Sequence, residues 1–113
     1  MDARVDELLR VAIAERRMIR FRLDGLLREA EPHDYGIMSG SLRLFVYQVG
    51  GKSRSGRLPD WRLVTLAKAS DFELLESTFR GPRTSSGRHH RWDRLFASVS
   101  RAPFGSAPVE GDR

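Results

Sequence analysis

A chain of 113 residues without a single cysteine has room for one small core and no disulfide, thiolate zinc site or thiol nucleophile. A content of 40% hydrophobic and 31% charged residues excludes a wholly disordered chain, and no run approaches the ~18 apolar residues of a membrane span. The formal net charge of +5 points to acidic partners but is unevenly placed: residues 1–79 carry 13 Arg/Lys against 12 Asp/Glu, and residues 80–113 carry 7 against 3.

The N-terminus, MDARVDELLR, is acidic and unlike a secretory signal, so a cytoplasmic setting is expected. Val5, Leu8, Leu9, Ala12 and Ile13 recur at helical spacing, with Asp2, Asp6 and Glu7 ahead of Arg16 and Arg17 as the helix dipole prefers. This predicts an amphipathic helix of about four turns. MIRFRLD then alternates as a strand, with Ile19, Phe21 and Leu23 on one face and Arg20 and Arg22 on the other. Asp24-Gly25 is a hairpin dipeptide, LLREAE is the returning strand, and Pro32 is expected to end the pairing.

After the turn MSGS, LRLFVYQV places Leu42, Leu44 and Val46 on one face and Arg43, Phe45 and Tyr47 on the other, as in a central strand. The long connection GGKSRSGRLPD precedes WRLVTLAK, a fourth strand, and DFELLES, a fifth. Five short strands and one helix predict a mainly β fold, a small five-stranded curled sheet or barrel over residues 1–80. Residues 81–113 read as a basic, partly disordered extension, in which Trp92, Leu95, Phe96 and Val99 predict a short docking helix.

No Walker loop, GxGxxG, GxSxG or HExxH occurs, and no nucleophile and base pair up, so neither an enzyme nor a cofactor or metal is expected. Of the three histidines, His89 and His90 read as a solvated pair and His33 as a hydrogen-bonded surface residue. Arg20 and Arg22 stand about 7 Å apart along one strand face, near the spacing of successive phosphates in a single strand. With Arg43 they make a candidate anion-binding face, or else the wet side of a half-buried sheet offset by Glu29 and Glu31. Tyr47 and Phe45 either stack bases or fill the core. The glycine-rich loop leads into a strand and not a helix, which removes the P-loop reading, yet Lys52, Arg54 and Arg57 can reach an anion as a flap, with Arg62 beside them.

The succession ERR, IRFRLDG, EPHDYG, GSLRLFVYQ and WRLVTLAKASDFELL resembles the WYL domain, a small SH3-like or Sm-like barrel of bacterial transcription regulators, over residues 5–82. Phe21, Asp24-Gly25, Glu31-Pro32, Leu44, Tyr47 and Ser70-Asp71 carry the likeness. The resemblance implies a non-enzymatic sensor that binds nucleic acid or a nucleotide-like ligand on a basic face. Two departures bear on that ligand. The Trp-Tyr-Leu triplet matches Leu42-Arg43-Leu44, and VTLAKA puts Thr65 and Ala67 where the family has Arg and Asp. Some seventeen residues precede the first strand, so a stand-alone module without the usual helix-turn-helix is expected. The alternative is a protein-interaction module that has lost the ligand site and forms a homodimer or caps a regulator.

Overall fold

The computed structural model describes residues 3–51, 58–83 and 91–99. Among these, α1 (Ala3–Glu15) precedes six strands: β1 (Arg17–Leu23), β2 (Leu26–Met38), β3 (Ser41–Gly51), β4 (Asp60–Thr65), β5 (Ala69–Thr78) and β6 (Arg94–Ser98). Leu9, Ala12 and Ile13 form the buried stripe of α1, with Val5 and Leu8 packed beside it. The helix stops at Arg16, whose N–H still donates to the Ile13 carbonyl at 3.3 Å and whose left-handed φ of 53° turns the following chain out of the helix.

Both hairpins at the head of the sheet use two-residue turns with two positive φ values, Asp24-Gly25 and Ser39-Gly40. This is the turn whose twist matches that of the strands it joins. β1 to β4 therefore run as an antiparallel meander, and a 3₁₀ turn at Leu66–Lys68 leads into β5, which returns to pair with β1. The order is β4-β3-β2-β1-β5, with β6 added to β2.

Three expectations change. Pairing between β1 and β2 does end at Ala30, but the strand continues through Pro32 to Met38, and its vacated edge takes β6 from Asp34 onward. Residues 94–98 are thus a strand and not a helix. Their backbone meets an open strand edge whose N–H and C=O groups require partners, and that requirement outweighs a four-residue helical pattern. The described strands form an open antiparallel sheet with β4 and β5 at its edges, and it has six strands where a curled sheet or barrel of five was expected.

The helix lies on the sheet face carrying Ile19, Phe21, Ala30, Tyr35, Leu44, Val46 and Val64, all at most 1% exposed. Burial of each large apolar side chain stabilises the fold by roughly 1.5–3 kcal/mol. The Tyr35 hydroxyl donates to the Asp6 carboxylate at 2.6 Å and ties α1 to β2. No helix among the described residues is long and apolar enough to cross a membrane.

Candidate ligand-binding face

Strand pleating sends Arg43, Phe45 and Tyr47 to the sheet face opposite α1, because Leu44 and Val46 between them belong to the helix-facing core. Register then sets their neighbours: Thr65, Leu63 and Trp61 on β4, and Gly36, Asp34 and Glu31 on β2. Trp61 stacks on Phe45 with ring centroids 4.7 Å apart and planes 7° from parallel, and meets the edge of Tyr47 at 5.0 Å. Phe45 is buried, while Tyr47 and Trp61 are half-buried. The outcome is an aromatic row with a guanidinium at one end, that of Arg43, which donates to the Ser41 hydroxyl at 2.9 Å.

At the other end the chain leaving β5 crosses this face. Arg83 lies over the Tyr47 ring, 4.3 Å from its centroid, and donates to both oxygens of Glu31, Nε to Oε1 at 2.7 Å and Nη2 to Oε2 at 2.9 Å. The Glu31 side chain is only 5% exposed against 45% for Arg83, so a buried carboxylate is neutralised by a half-exposed cation. Glu31 Oε1 also faces His33 Nε2 at 3.3 Å. The His33 ring is enclosed between Trp61 at 4.9 Å and Phe79 at 5.4 Å. Burial pushes His33 below its ordinary pKa of 6.5; contact with Glu31 and the charge of Asp34 oppose that shift, and Arg83 reinforces it. The imidazole is neutral at pH 7 and donates its Nε2–H to the carboxylate. Hydrogen bonding to Glu31 holds Arg83 above the ordinary arginine value, so it stays cationic.

The other cations expected at a site are distributed differently. Arg20 is clamped by Glu29 at 2.8 Å and Glu73 at 3.2 Å, which hold its guanidinium above its ordinary pKa, and Arg22 faces Asp71 at 3.5 Å. These two are the salt-bridged wet side of the sheet. Arg20 pairs with Glu29 and Arg43 with Gly36, seven residues farther along β2. The separation is on the order of 20 Å, so the three arginines do not meet in one cleft. Arg62, opposite Val46, projects to the helix-facing side instead, and its Nε donates to Gln48 Oε1 at 2.7 Å. Gln48, with no exposure, also accepts from Nη1 of the buried Arg28 at 3.3 Å. Lys52, Arg54, Arg57, His89 and His90 lie outside the described residues, as does the chain from residue 100.

The residues that sequence reasoning undervalued are Glu31, His33, Trp61 and Arg83. Glu31 and His33 are two apart on a strand and therefore share a face, a signal open to reading once β2 is extended past Pro32. His33 is 3% exposed and not the surface residue expected. Arg83 has no local signal, because its partner Glu31 lies 52 residues away. Among the described residues no group of three metal-ligating side chains occurs. No family model, no curated protein and no solved structure matches this chain.

Proposed function

We propose that the chain is a non-enzymatic regulatory module of the WYL kind, with an SH3-like or Sm-like sheet, that binds nucleic acid or a nucleotide-like anion on the face of β3 and β4 opposite the helix. The observation that carries this reading is the row Arg43, Phe45, Tyr47, with Trp61 stacked against it and Arg83 at its end. Half-buried aromatic rings give bases a stacking surface worth about 1–3 kcal/mol per base, and guanidiniums give phosphates a bidentate donor.

The topology supports the small-barrel kinship, since a four-strand meander whose fifth strand returns to the first is the arrangement such a fold requires. The motif departures also support it. Thr65, at the position where the resemblance expects an Arg, is the direct cross-strand neighbour of Arg43, at the position where it expects a Tyr. Cross-strand neighbours are about 5 Å apart, so the guanidinium lost at one position is supplied from the other.

Fluorescence anisotropy of a fluorescein-labelled oligo(dT) 12-mer and its oligo(U) counterpart tests the reading across 20–300 mM salt. Expected are binding that weakens with salt, a roughly tenfold loss in Trp61→Ala, and a salt slope lowered by about 0.7 in Arg43→Gln. Absence of binding at the lowest salt, or affinities unaltered by both substitutions, would overturn it.

A further inference from the structure

The Glu31 carboxylate is buried and has two nitrogen bases within reach, the Arg83 guanidinium and the His33 imidazole, both at Oε1. Only the first is cationic at neutral pH. If Arg83 turns to an anionic ligand, the carboxylate remains in a site only 5% exposed with a neutral imidazole as its nearest donor, which is a costly arrangement for an ion. One proton from solvent onto His33 Nδ1 removes that cost: the ring becomes an imidazolium, and its existing Nε2–H contact at 3.3 Å becomes an ion pair with Glu31.

From this geometry we infer that Glu31 exchanges Arg83 for a protonated His33 when the site takes a phosphate, so that phosphate binding at Arg83 is coupled to uptake of one proton. The inference rests on the anion-binding reading above and concerns the regulation of that same face. Of the three side chains Arg83 is the one that solvent and a ligand reach, 45% exposed against 5% for Glu31 and 4% for His33. Among the described residues, the charged groups that bear on His33 fit the scheme. Asp34, beside it on β2, and Glu31 both favour its protonation, and Arg83 opposes it. Trp61 and Phe79, the rings on either side, do not titrate.

The sign follows from linkage. In the free protein, burial and the nearby guanidinium keep His33 below 6.5, so protonation is disfavoured. In the ligand-bound protein the guanidinium is withdrawn and the value rises. Between the two values binding takes up a proton, and affinity increases as pH falls, by up to about tenfold per pH unit.

Two measurements test it. The first needs no ligand: the His33 imidazole is titrated by NMR in the wild type and in Arg83→Gln, with its signal identified by its loss in His33→Gln. A His33 titration that moves upward in Arg83→Gln supports the exchange, and an unmoved titration overturns it. The second is anisotropy of the labelled oligo(dT) 12-mer at pH 5.5–8.0. Affinity rising toward low pH in the wild type, with the rise abolished in His33→Gln, supports coupling. Binding that is equally pH-dependent in both proteins, or flat in both, overturns the coupling while leaving the anion-binding reading intact. Absence of binding at every pH overturns both.

Discussion

Gln48 is uncharged and wholly buried, yet its single carbonyl oxygen receives two guanidiniums, Arg28 at 3.3 Å and Arg62 at 2.7 Å, while its amide donates to the Gly50 carbonyl at 3.2 Å. Arg28 also donates to the Leu23 carbonyl at 3.2 Å and stands 3.7 Å from Asp24, so this corner of the core is polar by design of its neighbours. Removing the shared acceptor is the damaging change. Gln48→Leu, near in size, is expected to lose about 1–3 kcal/mol in urea denaturation, because the buried Arg28 guanidinium loses an acceptor that water cannot replace. Gln48→Glu, which keeps the acceptor and adds a countercharge, is expected to retain or exceed wild-type stability. The place of Arg28 is legible in the sequence through the turn rather than through hydropathy. A two-residue Asp24-Gly25 turn pairs Leu23 with Leu26 and hence Phe21 with Arg28, which sends the arginine inward and leaves Leu27 38% exposed. Hydropathy alone favours the opposite assignment.

Among the elements, β6 is where local pattern and final structure disagree. Trp92, Leu95, Phe96 and Val99 have helical spacing, but a run this short specifies neither period strongly, and the decision falls to what the rest of the molecule offers. β2 offers an edge. β1 leaves it at Ala30, and beyond Asp34 it hydrogen-bonds β6, whose entry is pinned by the Asp93 N–H to the Ile37 carbonyl at 2.8 Å and by the Gly40 N–H to the Asp93 carboxylate at 3.0 Å. Gly36 is the residue that lets the strand approach: a methyl group there meets the Leu95 Cα at 2.9 Å and the Arg94 carbonyl oxygen closer still. Both are backbone atoms and cannot swing aside. Gly36→Ala is therefore expected to cost about 1–3 kcal/mol and to expose the amides of residues 94–98 to rapid hydrogen exchange while those of β1 stay protected. Equal loss of protection in β1 and β6 counts against a local role. The hairpins, by contrast, were legible, because Asp-Gly and Ser-Gly turns state their geometry within two residues.

For the whole molecule, the placement of charge matters more than the +5 total. Arg20, Arg22 and Arg43 share a strand parity in the sequence, but parity carries no information about distance along a strand or about which acids answer which bases. The fold answers both. Arg20 and Arg22 have carboxylates on neighbouring strands, Glu29, Glu73 and Asp71, so an arriving phosphate meets a neutralised surface there. Arg43 bonds a hydroxyl and keeps its charge unanswered by a carboxylate at that contact, beside the aromatic row. If net charge alone drew in a polyanion, neutralising any of these arginines should lower affinity equally, since each removes one unit of charge. The structure instead separates them. Arg20→Gln is expected to leave the slope of log affinity against log salt unchanged and to shift the oligo(dT) affinity less than twofold at 150 mM salt, because Glu29 and Glu73 already answer its guanidinium. Arg43→Gln is expected to reduce that slope by about 0.7, the signature of one lost phosphate contact on a single strand. A slope lowered in Arg20→Gln and not in Arg43→Gln would instead put the bound strand over β1 and β5, and identical slopes would mean that it follows no fixed path at all.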